Sequence, residues 1–511
     1  MSTDDQTATI AFLARPGSHA ADAPVEVIET HISVVFLAGA RAYKLKRAVR
    51  LPYADFSSPE IRLATCEKEV ALNAPTAPDL YVGVRRITRG ADGGLQFDGP
   101  GPLVDAVVEM VRFDQDQLFD RLAETGGLTP RLMTDLTGVI VALHCRAPVI
   151  HAGGGAANLA AVLAINAAGF ATSRVFGQAE VSALDARFRQ ALNRHAAQLD
   201  QREAAGRVRR CHGDLYLRNI CLFRGQPRLF DCIDFNDQIA TVDVLYDLAF
   251  LLMDLWHRGQ PALASLVANR YCDSTGEDAG FALLPFLMAV RAAVRAHVTA
   301  TFAEGAGGAV AATLARSYFD LAQALLGRGA APVVAIGGLS GSGKSTVAAA
   351  LAPRLGLPPG ARILESDRTR KAMCGVDSDT RLPPAAYSPE MSEVVYARLG
   401  ARVAAVQGAG APVIVDAVFD RPDRRAAIAA AVPEAARFAG FWLEAPPDIL
   451  RARVRARTGG PSDATIDVLE AQLARDHGKT DWHRIDAGGP PETAVAAILA
   501  TLDRDQPQQG A

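Results

Sequence analysis

The sequence predicts two domains. Residues 1–327 read as an α+β domain in which a small β-rich lobe (about 25–112) precedes a larger helical lobe (about 113–327), and 328–511 reads as an α/β domain with a parallel sheet. Three observations predict this. A helical pattern near 311–326 ends in GRGAAP (327–332), which cannot continue a helix. The chain then alternates apolar, β-branched runs with helical stretches: VVAIGG from Val333, a helix over 344–355, ARILES, a helix near 389–407, PVIVDA, a helix near 423–436, and FAGFWLE. Strands buried on both faces read as such continuous runs, so the order predicts a doubly wound sheet. Upstream, β-rich stretches at 25–35, 41–46, 80–88 and 104–111 precede long helical patterns.

Size and charge bound the function. A chain of 511 residues has ample length for more than one core. Its 53 Lys and Arg against 56 Asp and Glu leave a formal charge of −3, which argues against a nucleic-acid-coating protein. No nucleic-acid or membrane partner is expected. Seven cysteines without a C-x-x-C pair, and the acidic, polar start MSTDDQTATIAF, predict reduced thiols and a cytoplasmic location. The longest apolar stretches, 281–290 (cut by Arg291) and 245–256 (interrupted by Asp247 and Asp254), fall short of the roughly 18 residues that span a bilayer. Both read as buried core helices.

Just past the boundary, Gly338-Leu-Ser-Gly-Ser-Gly343-Lys344-Ser345 satisfies G-x-x-x-x-G-K-[ST], with an apolar strand leading in and an Ala-rich helix leading out. Gly338, Ser340, Gly341, Ser342, Gly343 and Thr346 belong to this loop, whose backbone N–H groups can cradle phosphates at a helix N-terminus. Lys344 would place its charge on the β/γ-phosphates, and Ser345 would ligate Mg²⁺. Two acids follow at strand ends, where open α/β sheets face their ligands: Asp367 in LESDRTRK and Asp416 in VIVDAVF. Asp367 would take a proton from a hydroxyl and Asp416 would hold the metal or its water, or the two roles are exchanged. Helix capping is the structural alternative for Asp367. In RARVRART, Arg453 and Arg457 share a helical face; they form either a solvated basic face or an arginine-bearing lid over transferring phosphate. GLSGSGKS, SDRTRK, VIVDA and RARVRART together resemble the small-molecule kinase branch of P-loop proteins, the class of gluconate and shikimate kinases.

A second constellation lies in CHGDLYLRNICLFRGQPRLFDCIDFND (211–237). Asp214 and Asn219 stand five apart, and Asp234 lies twenty beyond Asp214. A turn carrying Asp214 can present a carboxylate to a hydroxyl, Asn219 can offer an oxygen to Mg²⁺, and a hairpin (ICLF, a Gly-containing turn, RLFDCIDF) can return Asp234 to the same metal. His212 reads as orienting the loop, and Cys211, Cys221 and Cys232 as buried strand positions. The acidic cluster Asp237, Asp243, Asp247 and Asp254 reads either as an attraction for a cationic substrate or as ordinary helix surface.

HGDLYLRN and IDF resemble the catalytic loop and metal-binding segment of the aminoglycoside phosphotransferase and choline kinase superfamily, itself similar to protein kinases. The resemblance covers most of 25–325 and implies a bilobal, protein-kinase-like fold using ATP and Mg²⁺. It implies a small-lobe lysine, Lys44 or Lys46 with Lys44 preferred, paired with Glu69 rather than Glu67. It also implies adenine contact from the backbone of Glu109 to Val111, and an anchoring role for Asp247. VVFLAGARAYK lacks G-x-G-x-x-G, and Asp234 is followed by Phe235-Asn236 where protein kinases carry Phe-Gly; both departures favour a small-molecule hydroxyl substrate. The two halves together resemble bacterial bifunctional aminoglycoside phosphotransferase/ATP-binding proteins. Expected, therefore, is ATP-dependent phosphotransfer with two ATP sites, the alternatives being a nucleotide-responsive regulatory protein and a toxin-like kinase.

Overall fold

Six strands of the first lobe form one antiparallel sheet, ordered Glu26–Glu29, Ser33–Ala38, Arg41–Lys46, Leu103–Val111, Tyr81–Arg89, Leu95–Phe97. The expected stretch 25–35 thus resolves into two strands, and the other three stretches match theirs within a residue. The computed structural model describes residues 4–19, 24–30, 32–51, 54–151, 153–457, 459–478 and 480–504. Helix Pro59–Asn73 starts where Ser58 accepts the Ile61 N–H and Pro59 fills the first turn. It buries Arg62, Cys66, Glu69 and Asn73, one stripe at helical spacing, and Cys66 joins Leu80, Ala106, Val108 and Met110 in the core.

In the helical lobe, Ile220–Phe223 and Gln226–Leu229 form a hairpin around Arg224–Gly225, both at positive φ; its return strand ends at Leu229, short of the expected RLFDCIDF, so Asp234 lies beyond it, and Cys211 and Cys232 are buried but outside strands, unlike Cys221.

By compactness, the chain divides into Met1–Ala171 with Phe188–Asp254, and Thr172–Arg187 with Leu255–Ala511. Helices Pro261–Thr275, Leu284–Phe302 and Gly308–Leu325 therefore group with the parallel sheet, across the 327/328 division drawn from the sequence.

That sheet has five parallel strands in the order Arg362–Glu365, Val413–Asp416, Val333–Gly337, Phe438–Glu444, His483–Asp486. Val334, Ile336, Ile414 and Phe441 pack against Val347 and Leu351 of helix Lys344–Leu351. The sequence reading did not place helix Ile466–Leu473, strand His483–Asp486 or helix Pro491–Arg504. The strand exposes three of its four residues, so no apolar run marks it.

Among the described residues, two helices are, by length and composition, apolar enough to cross a membrane: Gly155–Thr172 (28% buried) and 281–305 (67% buried). The sequence shows no unbroken apolar run of that length. In fact helix Leu284–Phe302 continues through Arg291, which is buried, and Gly155–Thr172 reaches the threshold on alanine. A mostly buried core helix passes the same test.

Candidate functional sites

Strand Arg41–Lys46 alternates faces, so Lys44 and Lys46 point the same way, and both reach Glu69. Lys44 Nζ lies 2.9 Å from Glu69 Oε1, and Lys46 Nζ lies 2.5 Å from Oε2. Lys46 also pairs with Asp234 at 2.5 Å, and Lys44 with Asp231. Glu69 is fully buried, whereas Glu67 is exposed. Burial opposes charge throughout this cluster. On Lys44 it is outweighed by Asp231 and Glu69, which hold the ammonium well above its ordinary pKa. On Glu69 it is outweighed by the two lysines, which hold the carboxylate low. On Asp234 burial prevails over Lys46 and raises the pKa. The result is a pair of largely dry cations beside three acids, Glu69, Asp231 and Asp234, a set whose charges suit phosphate and a metal cation.

Asp214 is half-buried, and Asn219 Nδ2 donates to its Oδ2 at 2.8 Å and to its carbonyl at 3.0 Å. With its amide nitrogen engaged there, the amide oxygen is the remaining polar atom of Asn219. Behind the loop stands Asp247, accepting the backbone N–H of His212 (3.2 Å) and Gly213 (2.8 Å), with His144 Nε2 at 3.1 Å. Asp254 accepts the Leu217 N–H at 3.1 Å. His212 is buried with Nε2 3.0 Å from the Phe230 carbonyl, an orienting contact. The acidic cluster therefore needs correction. Asp243 is buried in a two-point pair with Arg202 (2.7 and 2.8 Å), and Asp247 and Asp254 hold the backbone of the loop at His212, Gly213 and Leu217; of the four, Asp237 alone is largely exposed, paired with Lys68 and Arg210. Three of the four are neither free to attract a cation nor helix surface.

Asp247→Ala would leave two buried N–H groups without their acceptor, each costing about 1–3 kcal/mol. The expected outcome is a lowered denaturation midpoint together with loss of this unit's activity, read by chemical unfolding and an ATP-turnover assay.

Glu109 lies inside the ladder, opposite Tyr43 and Gly83, with its carboxylate 3.3 Å from both Arg41 and Arg85. Val111 ends the strand and donates its N–H to the Leu80 carbonyl.

In the second unit, the phosphate loop follows strand Val333–Gly337. Gly341 and Gly343 have φ of 83° and 89°, and a Cβ on Gly341 would stand 2.6 Å from the Leu450 carbonyl oxygen. Ser340 donates its N–H to Gln472 at 2.8 Å, and Lys344 Nζ donates to the carbonyls of Gly338 (2.8 Å) and Leu339 (3.0 Å). Ser345 Oγ donates to Asp416 at 2.6 Å and sits 3.3 Å from Glu365 Oε1. Glu365 and Asp416 are register partners at the carboxyl ends of adjacent strands. Their oxygens and the Ser345 hydroxyl form the all-oxygen donor set that Mg²⁺ takes. Burial raises the pKa of Glu365, Asp416 and Asp367, with Lys344 opposing on the two aspartates; burial likewise lowers Lys344.

A cavity of about 540 Å³ is lined by Lys344, Asp367, Arg370, Asp416, Arg424 and Arg457. A second, of about 370 Å³, lies along Gly341, Ser342, Gly343, Thr346, Arg453 and Arg457. Arg453 donates to the carbonyls of Ala487, Gly488 and Gly489, while Arg457 Nη1 is buried with no hydrogen-bond partner among the described residues. Sequence reasoning missed Asp231, Glu365, Arg370 and Arg424. Of these, Glu365 carried a signal: it ends a strand on the ligand edge. Asp231 sits at φ 59°, a backbone state that no local pattern announced.

Residues 105–285 match the model of a phosphotransferase enzyme family, and 333–476 match that of an AAA domain. The fold and these matches define the class: a kinase-like phosphotransferase domain followed by a P-loop, kinase-like α/β domain. A Mycobacterium tuberculosis protein titled "Uncharacterized protein Rv2004c" is 30% identical over 491 residues, 92% of this chain and 94% of that protein. The chain belongs to the same two-domain family as this mycobacterial protein. Among solved structures, a sugar kinase from Janibacter sp. HTCC2649 is 23% identical (34% of this chain, 95% of that one, TM-score 0.28). A choline/ethanolamine kinase family protein from Mesorhizobium loti is 14% identical (62% and 92%, TM-score 0.40).

Proposed function

We propose that this protein transfers the γ-phosphate of ATP to a hydroxyl of a small molecule, a sugar, polyol or amino-sugar, and that each phosphotransfer unit holds its own Mg²⁺ and ATP. The observation that carries the reading is the same pairing in both units: a buried or half-buried lysine facing acids that suit a cation. In one, Lys44 and Lys46 meet Glu69 and Asp234. In the other, Lys344 stands beside Ser345 and Asp416. Asp214 and Asp367 are the bases that align the two hydroxyls, and Asn219, Asp234, Ser345 and Asp416 are the metal donors. Arg453 and Arg457 border the nucleotide. The absent G-x-G-x-x-G and the Phe235-Asn236 pair support a small acceptor over a protein. All seven cysteines are free, which supports a reducing, cytoplasmic setting.

A screen of hydroxylated metabolites and aminoglycosides for an ATP-dependent gain of one phosphoryl group tests the reading on the intact chain. One phosphorylated product lost in an Asp214 variant and another lost in a Lys344 variant is the expected result. A nucleotide-responsive role has one observation in its favour: Lys46 already pairs with Asp234, the carboxylate a cation would need. Two bound ATP analogues with a single mutation-sensitive turnover would select it.

A further inference from the structure

Helix Pro261–Thr275 lies within the span that matches the phosphotransferase family, yet it is packed into the compact unit of the parallel sheet. Its contacts there are specific and buried. Asn269 Oδ1 accepts the Ile363 N–H at 2.7 Å, and its amide nitrogen donates to the Ala361 carbonyl at 3.2 Å. The backbone of the sheet's edge strand is thereby partnered by a side chain some ninety residues upstream. Arg362, fully buried, pairs with Asp273 at 2.5 Å and with Asp278 at 2.9 Å.

From Asp273 the contacts run on to the phosphate site. Arg270 lies 3.2 Å from Asp273, Arg368 lies 4.0 Å from Asp273, and Arg368 Nε donates to Glu365 Oε2 at 2.9 Å. The other oxygen of Glu365 is the one 3.3 Å from Ser345 Oγ. In parallel, Asp278 holds Arg402 at 2.6 Å, and Arg402 donates to Thr369 at 2.9 Å, on the helix Ser366–Met373 that carries Asp367. Two acids from the upstream segment thus brace both the Glu365 carboxylate beside Ser345 and the helix that carries Asp367.

We propose that residues 261–278 are a working part of the P-loop site, with Asp273 and Asp278 as positioning residues that fix Glu365 and Asp367 through Arg368 and Arg402. The proposal rests on the reading of this site as one for Mg²⁺ and ATP. Partners that orient metal-binding groups typically matter about 10–100-fold for metal affinity, whereas a cluster that merely joins the segment to the sheet leaves metal dependence untouched.

The test is Mg²⁺-dependent binding of a fluorescent ATP analogue to the full chain, with Asp214→Ala present throughout so that turnover at the other unit does not intrude, and with Lys344→Ala defining the P-loop signal. In Arg368→Gln and Asp273→Asn, the Mg²⁺ concentration for half-maximal binding should rise about tenfold or more. Binding of the analogue without Mg²⁺ should stay as in the parent, and Arg368→Lys, which keeps the cation, should restore most of the loss. Unchanged Mg²⁺ dependence in a folded Arg368→Gln chain would overturn the proposal, as would a Lys variant no better than the Gln one. A parent chain whose binding ignores Lys344→Ala would instead remove the underlying Mg²⁺–ATP reading, and this proposal with it.

Discussion

Asp214→Ala is expected to slow phosphotransfer at the kinase-like unit by about 10²–10⁴-fold, the usual cost of losing a general base. A hydroxyl is a weak nucleophile at neutral pH, and Asp214 is the carboxylate presented by the loop, with Asn219 donating to its carboxylate and to its backbone carbonyl. The loop itself does not depend on that carboxylate. Asp247 and Asp254 hold its backbone at His212, Gly213 and Leu217, so the variant should keep its unfolding midpoint and its nucleotide affinity. Measured as product formation in a Lys344→Ala background, the loss should appear in kcat with KM for ATP little changed. An undiminished rate would remove Asp214 from the chemistry.

What the sequence made legible here was local. Period-two alternation placed Lys44 and Lys46 on one face, and the apolar runs at Val333–Gly337 and Val413–Asp416 marked strands buried on both sides. The phosphate loop could be read because its chemistry is confined to eight consecutive residues. What escaped was set by pairing between distant segments. Asp243 looks like a surface acid until Arg202, 41 residues away, closes on it. Glu365 stands between residues with stronger motif signals, and only its register opposite Asp416 brings it to the Ser345 hydroxyl. Arg362 opens a strand where an apolar residue would be expected, because its acids lie 84 and 89 positions upstream. No periodicity encodes such partners. The same holds for helix Pro261–Thr275: its pattern shows that one face is buried, and says nothing about which sheet buries it.

Lys344→Ala should have the matching effect at the P-loop site, with a pH signature of its own. The lysine is the half-buried cation beside Asp367, Asp416 and Glu365, and removing such a preorganised charge from a developing phosphate negative charge costs about 10²–10³-fold. Its second role is on the acids. Burial already raises Asp367 and Asp416, and Lys344 is what pulls both back toward ionisation. Without it, both pKa values rise further. In the proposed roles each carboxylate works ionised, one accepting a proton and the other holding a cation, so activity should be lost as pH falls through those values. The acid limb of the residual rate profile should therefore move to higher pH than in the parent, while the limb at the kinase-like unit stays in place. Arginine at this position would separate the two roles: Lys344→Arg keeps a cation beside the acids and should leave the acid limb near its parental position. It should still lose rate, because the larger guanidinium does not fit the carbonyls of Gly338 and Leu339 as the ammonium does. A profile that shifts equally in the Ala and Arg variants would mean that the acids do not feel the charge at this position.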